Sequence, residues 1–378
     1  MPLRSIPTDC ACVPAPSPDV PGGSGAVAHV DPVNVDLPVG DPARSPTMND
    51  NTGRPAFRHD TRAVAEWYRA FAANQAAGSS PSLERWASAI AEDGDLLALL
   101  APLPHDKQQP NLVFAAARWH GARPGDTDSL RELLTTRWAA VETTIRMRAT
   151  QTNEAARCAA ILLGLRLVPG PVALLEIGAA AGLCLIPDRY SYTFGGNTRL
   201  VPVDGPSPVS IDIRLGDGLR PPAAMPDIAW RAGLDLNPLD PADPDTLAWL
   251  QILVWPEHET RRARLAAAIA LAAEHHVRVS AGDLRTGLEA LAAAAPRGTT
   301  LVITHSATLA YLDEPARRKA VEHIASLGAR RISFEARGVD PAVPHLDIPV
   351  TPSTLFVAAL DGTPYAVGDG HGTVLGHP

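Results

Sequence analysis

Apolar and polar residues alternate in two different ways along this chain, and the change divides it into two parts. From about residue 57 to residue 168, apolar side chains recur at steps of three and four, for example along residues 63–71. This spacing predicts a series of amphipathic helices, the last two near 128–150 and 152–167. The sequence Pro-Gly-Pro at 169–171 ends the helical pattern.

After residue 171 the pattern predicts strands that alternate with helices, which is typical of a parallel α/β sheet. The predicted strands are short apolar runs at Val172–Ile177, Ile228–Leu234, Val277–Ala281, Thr300–Thr304, Arg331–Glu335, Leu355–Leu360 and Tyr365–Val367. The last two flank Asp361-Gly362, which predicts an antiparallel hairpin. A second hairpin is predicted near 189–225, inserted where the first crossover helix is cut short.

These patterns predict three segments. Residues 1–55 are rich in proline and contain no aromatic residue, so we expect a disordered tail, with Met48 as an alternative start of translation. Residues 56–168 are expected to form a helical subdomain. Residues 169–378 are expected to form an α/β domain that carries the inserted hairpin.

Composition narrows the classes of function. The net charge of −8 provides no basic surface for nucleic acid, and no apolar run approaches the roughly 18 residues of a membrane span. The four cysteines show no metal-binding or disulfide pattern, and no secretion signal is evident. We therefore expect a cytoplasmic protein that acts on a small molecule, without a metal, a nucleic acid or a membrane.

The segment from Val172 to Gly182 carries the clearest chemical pattern. An apolar run ends in the carboxylate of Glu176 and continues into a turn that contains Gly178 and Gly182. This arrangement is typical of a buried parallel strand that leads into a ligand-binding turn at the carboxyl edge of a sheet.

Polar residues also follow the next three predicted strands. Asp235, Asp283 and the pair His305-Ser306 come at or just after the ends of these strands. Because parallel strands end at one edge of a sheet, we expect these side chains and Glu176 to converge on one site.

This order resembles the class I S-adenosylmethionine-dependent methyltransferases, whose first strand leads into an acidic-x-Gly-x-Gly-x-Gly turn. Here Ala180 replaces the middle glycine of the turn from Glu176 to Gly182. The resemblance implies a Rossmann-like, methyltransferase-type sheet with S-adenosylmethionine as cofactor. It implies that the turn, with Gly178, Ala180 and Gly182, holds the methionine part of the cofactor. It further implies that Asp235 holds the ribose hydroxyls and that Asp283, followed by Leu284, meets the adenine.

At finer scale the chain resembles a bacterial family of unknown function over roughly residues 60–360. The motifs that carry this resemblance are Gln-Thr-Asn-Glu at 151–154, the glycine turn at 176–183, Asp-Arg-Tyr-x-Tyr at 188–192, Gly-Leu-Asp-x-Asn-Pro at 233–238, Val-Trp-Pro-Glu at 254–257 and His-Ser at 305–306. That family implies no particular reaction, so the methyltransferase hypothesis depends on the strand-end residues.

Several residues of these motifs are candidates for catalysis or substrate binding, each with a structural alternative. His305, Asp188 and Glu154 are candidate bases for an acceptor that must lose a proton. Asn153, Arg189 and Tyr190 are candidate substrate contacts. Each of the six could equally be a satisfied core residue, a surface ion pair or a packing residue.

Two other classes remain as alternatives to a methyltransferase. A nicotinamide-dependent oxidoreductase would carry Gly-x-Gly-x-x-Gly, but Ala180 and Leu183 occupy the two later glycine positions. A non-catalytic Rossmann-like scaffold or ligand-binding protein fits the alanine-rich turn. A P-loop nucleotidase is excluded because no Gly-Lys-Ser/Thr follows the strand.

Overall fold

The structure, a computed structural model, describes residues 60–378; the predicted tail at 1–55 and the alternative start at Met48 lie outside the described residues. The described part has a mixed α/β architecture with a large, mostly parallel sheet. All of it belongs to one compact unit.

Eleven α-helices occur in the described part. They are α1 (Thr61–Phe71), α2 (Pro81–Glu92), α3 (Gly94–Leu100), α4 (Pro110–Trp119), α5 (Thr127–Thr136), α6 (Trp138–Met147), α7 (Cys158–Leu165), α8 (Pro244–Leu253), α9 (Glu259–Glu274), α10 (Leu284–Ala293) and α11 (Glu314–Ser326). Side-chain caps fix where several of them begin. Ser80 accepts a hydrogen bond from the backbone N–H of Leu83 at the start of α2, and Asp243 and Asp313 cap α8 and α11 in the same way.

Eleven strands between residues 60 and 378 form one sheet. They are β1 (Val172–Ile177), β2 (Ser191–Phe194), β3 (Thr198–Leu200), β4 (Ser210–Leu215), β5 (Ile228–Asp235), β6 (Val279–Ala281), β7 (Thr300–Ser306), β8 (Arg330–Ala336), β9 (Phe356–Leu360), β10 (Thr363–Gly368) and β11 (Val374–Gly376). Their spatial order is β3-β2-β4-β11-β10-β9-β8-β7-β1-β5-β6.

The site-bearing half of the sheet is parallel. β1 lies between β5 and β7, with β6 beyond β5 and β8 beyond β7. Within this half the chain adds β5 and β6 on one side of β1 and later returns to the other side of β1 to add β7 and β8. The carboxyl ends of all five strands lie along one edge, and the order of addition reverses between β1 and β7.

Helices cover both faces of this parallel half. Leu174 belongs to a cluster that includes α7 and α9, whereas Leu175 packs in a second cluster with α10 and α11. Successive residues of a strand point to opposite faces, so β1, in which all six residues are buried and all but Glu176 are apolar, is covered on both sides.

Helices α1–α6 pack around a separate cluster. Two side chains from the segment 249–255, Trp249 and Trp255, belong to this cluster. The indole N–H of Trp255 donates to Oδ1 of Asn111 on α4 at 3.0 Å, which ties the helical layer to the rest of the molecule.

The sequence predicted the seven strands of the α/β part to within a few residues, together with both hairpins. Asp361 and Gly362 have φ values of +52° and +84°, as a tight hairpin turn requires. Strands β4 and β11 were not predicted. β4 has the alternating pattern of a half-buried strand, but β11 has only three residues, too few to show a period.

Two predicted helices are wrong in detail. The predicted helix at 128–150 is two helices, α5 and α6, and the predicted helix at 152–167 begins only at residue 158. Residues 148–154 form an irregular segment, because Thr and Asn are weak helix formers and the side chain of Glu154 accepts from the backbone N–H of Ala156. Helix α7 belongs to the predicted helical subdomain by sequence, but its side chains pack in the hydrophobic cluster that contains the sheet residues Leu174 and Ile332.

Candidate functional site

A cleft of about 420 Å³ lies at the carboxyl ends of β1, β5, β6, β7 and β8. It spans the point where the order of strand addition reverses, which is where open α/β sheets bind ligands. Residues 149–152 of the irregular segment before α7 form part of its wall, and Nε2 of Gln151 donates to the carbonyl of Asn237 at 3.1 Å.

The glycine turn after β1 contributes Gly178 and Ala180 to the cleft. Gly178 and Gly182 have φ values of +69° and +72°, and Ala180 has +46°, which L-residues with a side chain seldom adopt. A methyl group on Gly178 would overlap the side chain of Thr308, so packing alone already requires glycine there.

Two backbone N–H groups of this turn are already satisfied by the protein. The N–H of Ala180 donates to Oδ2 of Asp235 at 2.8 Å, and the N–H of Ala181 donates to Oδ1 of Asn153 at 3.0 Å. Oδ1 of Asp235 accepts from the N–H of Asn237, also at 2.8 Å. Asp235 thus lines the cleft while it fixes the turn to the end of β5.

Large apolar side chains in the cleft are exposed. Leu236, next to Asp235, is 76% exposed, and Tyr311 is 71% exposed; Leu284 at the start of α10 also lines the cleft. Exposed apolar surface inside a concave site is typical of a site for a ligand with an apolar or aromatic part.

A chain of buried polar side chains reaches the opposite end of the cleft at β8. His305 Nδ1 lies 2.7 Å from Oε1 of Glu335, and its Nε2 lies 3.0 Å from Nη1 of Arg331, which also binds Asp340 at 2.5 Å. His305 is buried under the cleft and does not line it, but Glu335 does.

Burial and charge set the protonation of several predicted residues. Burial raises the pKa of Glu176 well above its usual range, with further contributions from Cys184 and Asp235. Burial also raises the pKa of Glu154, but Arg264 and Arg261 outweigh it and lower the pKa to about 2. Glu154 is therefore the carboxylate of a buried ion cluster.

Asp283 begins α10 as a capping residue. Hydrogen bonds from the side chain and the backbone N–H of Arg285 lower its pKa to about 2. Its neighbours Gly282 and Leu284 line the cleft, whereas the Asp283 carboxylate binds Arg285 at the surface.

The Asp-Arg-Tyr motif lies away from the cleft. Asp188 forms a two-pronged ion pair with Arg231 at 2.9 and 3.1 Å, and Arg189 binds Asp204 at 2.8 Å. Tyr190 is fully buried, and its hydroxyl donates to the carbonyl of Leu183 at 2.7 Å. The contacts of Asp188 and Tyr190 hold the start of the inserted hairpin to β5 and to Leu183, directly after the glycine turn.

The structure thus brings together only part of the predicted set. The predicted residues that line the cleft are Gly178, Ala180, Asp235 and Leu284. Those that do not line it are Glu176, Gly182, Asp283, His305, Asp188, Glu154, Asn153, Arg189 and Tyr190. Asn153 lies in a smaller cavity of about 20 Å³ beside the cleft.

Sequence reasoning missed two charged residues of the cleft, Arg157 and Glu335, whereas Ser306, named with His305 at the end of its strand, does line it. Glu335 had the same pattern as Glu176, a carboxylate at the end of a predicted apolar strand, and could have been found. Arg157 lies in a short turn before α7 and had no pattern that would distinguish it from a surface arginine.

In the described part of the chain, no group of three or more His, Cys, Asp and Glu side chains is arranged to hold a metal ion. Within residues 60–378, no helix has both the length and the apolar character needed to cross a bilayer.

Comparison with protein families gave one match. A family described as "Uncharacterized protein conserved in bacteria (DUF2332)" matches residues 65–375, which is most of the chain and includes every element that lines the cleft. Comparisons with curated proteins and with solved structures found no match.

Proposed function

We propose that this chain, which belongs to the uncharacterised bacterial family DUF2332, is an S-adenosylmethionine-dependent methyltransferase that acts on a small molecule. The proposal depends on one observation: at the end of β5, the Asp235 carboxylate and the exposed side chain of Leu236 line the cleft next to each other. A carboxylate next to an apolar surface suits a ribose joined to a flat base.

The order of the parallel strands supports this proposal. From one edge of the parallel half to the other, the strands lie in the order β6-β5-β1-β7-β8. If these five strands are numbered as they occur along the chain, this spatial order is 3-2-1-4-5. Doubly wound, Rossmann-like nucleotide-binding sheets have this order and bind their ligands at the reversal. We propose on this basis that the sheet is of the methyltransferase type.

The residues at the β5 end fit a nucleoside. Each oxygen of Asp235 accepts one backbone N–H and keeps further capacity, so the carboxylate can also accept from two neighbouring hydroxyls. Leu236 and Leu284 offer apolar surface to a base. The volume of about 420 Å³ is within the usual range of small-molecule sites, roughly 300–1,000 Å³.

The turn itself fits less closely. The resemblance implies that the turn holds the methionine part of the cofactor, but Asp235 and Asn153 already bind the N–H groups of Ala180 and Ala181. In this proposal the turn shapes the cleft and positions Asp235, and the methionine part is held elsewhere.

The chemistry requires little from the protein beyond alignment. Bound S-adenosylmethionine supplies a methyl group on a sulfonium, which is reactive without covalent help from the protein. Asp235 would hold one end of the cofactor, and the apolar side chains of Leu236, Leu284 and Tyr311 would pack against it. Such alignment of two reactants is worth several kcal/mol, on the order of 7–11 in favourable cases.

A non-catalytic ligand-binding protein is the second candidate. The satisfied N–H groups of the turn favour it, because a working cofactor turn usually leaves such groups free for the ligand. A nicotinamide-dependent oxidoreductase is less favoured, since the turn lacks the two later glycines of the dinucleotide pattern.

Calorimetry on the full chain tests the proposal with S-adenosylmethionine, S-adenosylhomocysteine and NAD. We expect the first two to bind and NAD not to bind. The Asp235→Asn variant should bind S-adenosylhomocysteine about tenfold to a hundredfold more weakly, the effect of losing hydrogen bonds to a charged group. Asp212→Asn, at an exposed position on β4, is the control and should bind like the wild type.

Binding of NAD alone, or of none of the three ligands, would refute the cofactor assignment. Transfer of a radiolabelled methyl group to low-molecular-weight cell extract then separates the two candidates. Incorporation supports the methyltransferase, and cofactor binding without incorporation supports the non-catalytic protein. A melting curve of each variant verifies that it is folded.

A further inference from the structure

The β8 end of the cleft carries a buried cation without a carboxylate partner. Arg157 is 5% exposed and lines the cleft. Its side chain donates hydrogen bonds to two carbonyl oxygens, of Gly370 at 2.9 Å and of Ser306 at 3.4 Å. Among residues 60–378 no carboxylate lies within ion-pair distance of its guanidinium. Its other electrostatic contacts include the ring of Phe356, 5.9 Å from the guanidinium carbon, and a Coulombic interaction with the buried Glu176. A buried charge without an ion-pair partner is costly, so a further partner for it is expected.

The same end carries a buried carboxylate with one oxygen unused. Oε1 of Glu335 accepts from His305 Nδ1 at 2.7 Å and from the backbone N–H groups of Thr308 and Leu309 at 2.9 and 3.1 Å. Oε2 has no hydrogen-bond partner within the described residues, although Glu335 is 1% exposed. The hydroxyl of Ser306, on the neighbouring strand β7, also lacks a partner there.

The hydrogen bonds below the cleft show that Glu335 acts as a hydrogen-bond acceptor. Arg331 can only donate, so its contact with His305 makes Nε2 the acceptor. His305 therefore carries its proton on Nδ1 and donates it to Glu335. Since Oε1 already accepts three N–H groups, a further donor has to come to Oε2.

Arg157 and Glu335 have opposite charges and line the same cleft, yet they do not form an ion pair with each other. A simple anion would satisfy Arg157 alone, and a simple cation Glu335 alone. A zwitterion satisfies both. The amino-acid group, with a carboxylate and an ammonium on one carbon, is the smallest common zwitterion.

We infer that the β8 end of the cleft binds the α-amino-acid end of the ligand, with its carboxylate on Arg157 and its ammonium on Glu335. The hydroxyl of Ser306 supplies a further hydrogen bond. This inference rests on the proposed function, in which the amino acid is the methionine part of the cofactor. It also explains how that part is held although the turn's N–H groups at Ala180 and Ala181 are already engaged.

The spacing of the strands agrees with this assignment. Asp235 ends β5 and Glu335 lies near the end of β8, three strand intervals apart. At about 4.8 Å per interval, the two strand ends are roughly 14 Å apart. The cleft thus suits an elongated ligand with a nucleoside at one end and an amino acid at the other.

Two related ligands test the inference by calorimetry on the full chain. S-adenosylhomocysteine carries the amino acid, and 5′-methylthioadenosine is the same type of nucleoside thioether without it. We expect the wild type to prefer S-adenosylhomocysteine. In Glu335→Gln this preference should fall about tenfold to a hundredfold, while the affinity for 5′-methylthioadenosine stays unchanged.

Ser306→Ala is a second variant that loses no hydrogen bond from the side-chain oxygen in the described part, so it should fold normally. We expect it to reduce the preference by a smaller factor, about three- to tenfold. Glu322→Gln, exposed on α11, is the control for the loss of a carboxylate and should keep the wild-type preference.

The outcomes separate the two proposals. If both ligands bind and Glu335→Gln and Ser306→Ala leave their ratio unchanged, the inference is overturned and the cofactor assignment stands. If neither ligand binds the wild type, both the cofactor assignment and the inference fail.

Discussion

Glu154 lies outside the cleft, in a buried cluster of charges that joins the segment before α7 to α9. Its two oxygens bind Arg261 and Arg264 at 2.9–3.1 Å. Burial alone would raise the pKa of Glu154, yet the two guanidinium groups hold it at about 2, against an ordinary value of 4.5. Such a carboxylate is a poor candidate for a base and a good one for a structural link.

At the residue scale, this pKa predicts a loss of stability in acid. The folded-state pKa is lowered, so the contribution of Glu154 is complete above pH 4.5 and disappears as the pH falls toward 2. A difference of roughly 2.5 pH units corresponds to about 3 kcal/mol in the free energy of unfolding. Urea unfolding at a series of pH values between 7 and 3 should show about 2 kcal/mol of this loss, because the remainder falls below pH 3.

The matched variant is Glu154→Gln, which cannot titrate. It should be less stable than the wild type at pH 7, by about 3–5 kcal/mol, because Arg261 and Arg264 lose their partner. Its stability should also fall less between pH 4.5 and 3. An equal fall in the variant and the wild type would assign the acid sensitivity to other groups.

At the scale of elements, the glycine turn after β1 is held by packing as well as by conformation. Gly178 and Gly196 both have a positive φ, +69° and +78°. An added methyl group on Gly178 would meet Thr308, whereas nothing lies within 4 Å of the corresponding position on Gly196.

These two glycines give a matched pair of substitutions. Gly196→Ala should cost about 1–2 kcal/mol, the conformational penalty alone. Gly178→Ala should cost clearly more, because the overlap with Thr308 is added to that penalty. Thermal unfolding of both variants gives the comparison, and Thr308→Ala in the Gly178→Ala background should recover part of the difference. Equal costs for the two glycines would refute the packing explanation.

The elements were largely predictable from the sequence, since a strand such as β1 is apolar except for Glu176, and several helices begin at capping residues. The edge at which ligands bind followed from those strands. The partners of individual side chains did not follow, because a partner such as Arg231 for Asp188 or Arg261 for Glu154 depends on packing between distant segments. The irregular segment at 148–154 was missed for a similar reason, since its hydrogen bonds to the turn are tertiary.

At the scale of the whole molecule, Trp255 connects the helical layer to the α/β part. It is 1% exposed, packs against Phe71 with ring centroids 5.9 Å apart, and belongs to the cluster of α1–α6. The two parts therefore share core side chains, and we expect them to unfold together.

Trp255→Ala should lower the free energy of unfolding by about 3–5 kcal/mol, the usual cost of removing a large buried aromatic side chain. Trp67→Ala is the comparison, because Trp67 is only half-buried and stacks on His105 within the helical part; its cost should be smaller. Chemical denaturation of the wild type, followed by far- and near-ultraviolet circular dichroism, should give coincident transitions. Separate transitions would show that the helical layer folds independently.

Strand β11 lies between β10 and β4, so the three strands of the inserted region reach the main sheet only through it. During synthesis on the ribosome, β11 emerges roughly 160 residues after β4, a delay on the order of ten seconds at ordinary rates of translation. Throughout that time β4 has one unpaired edge, and so does β10 once it is made. Unpaired edges of this kind attract other chains, so the newly made protein has to be protected from aggregation until its last strand is in place.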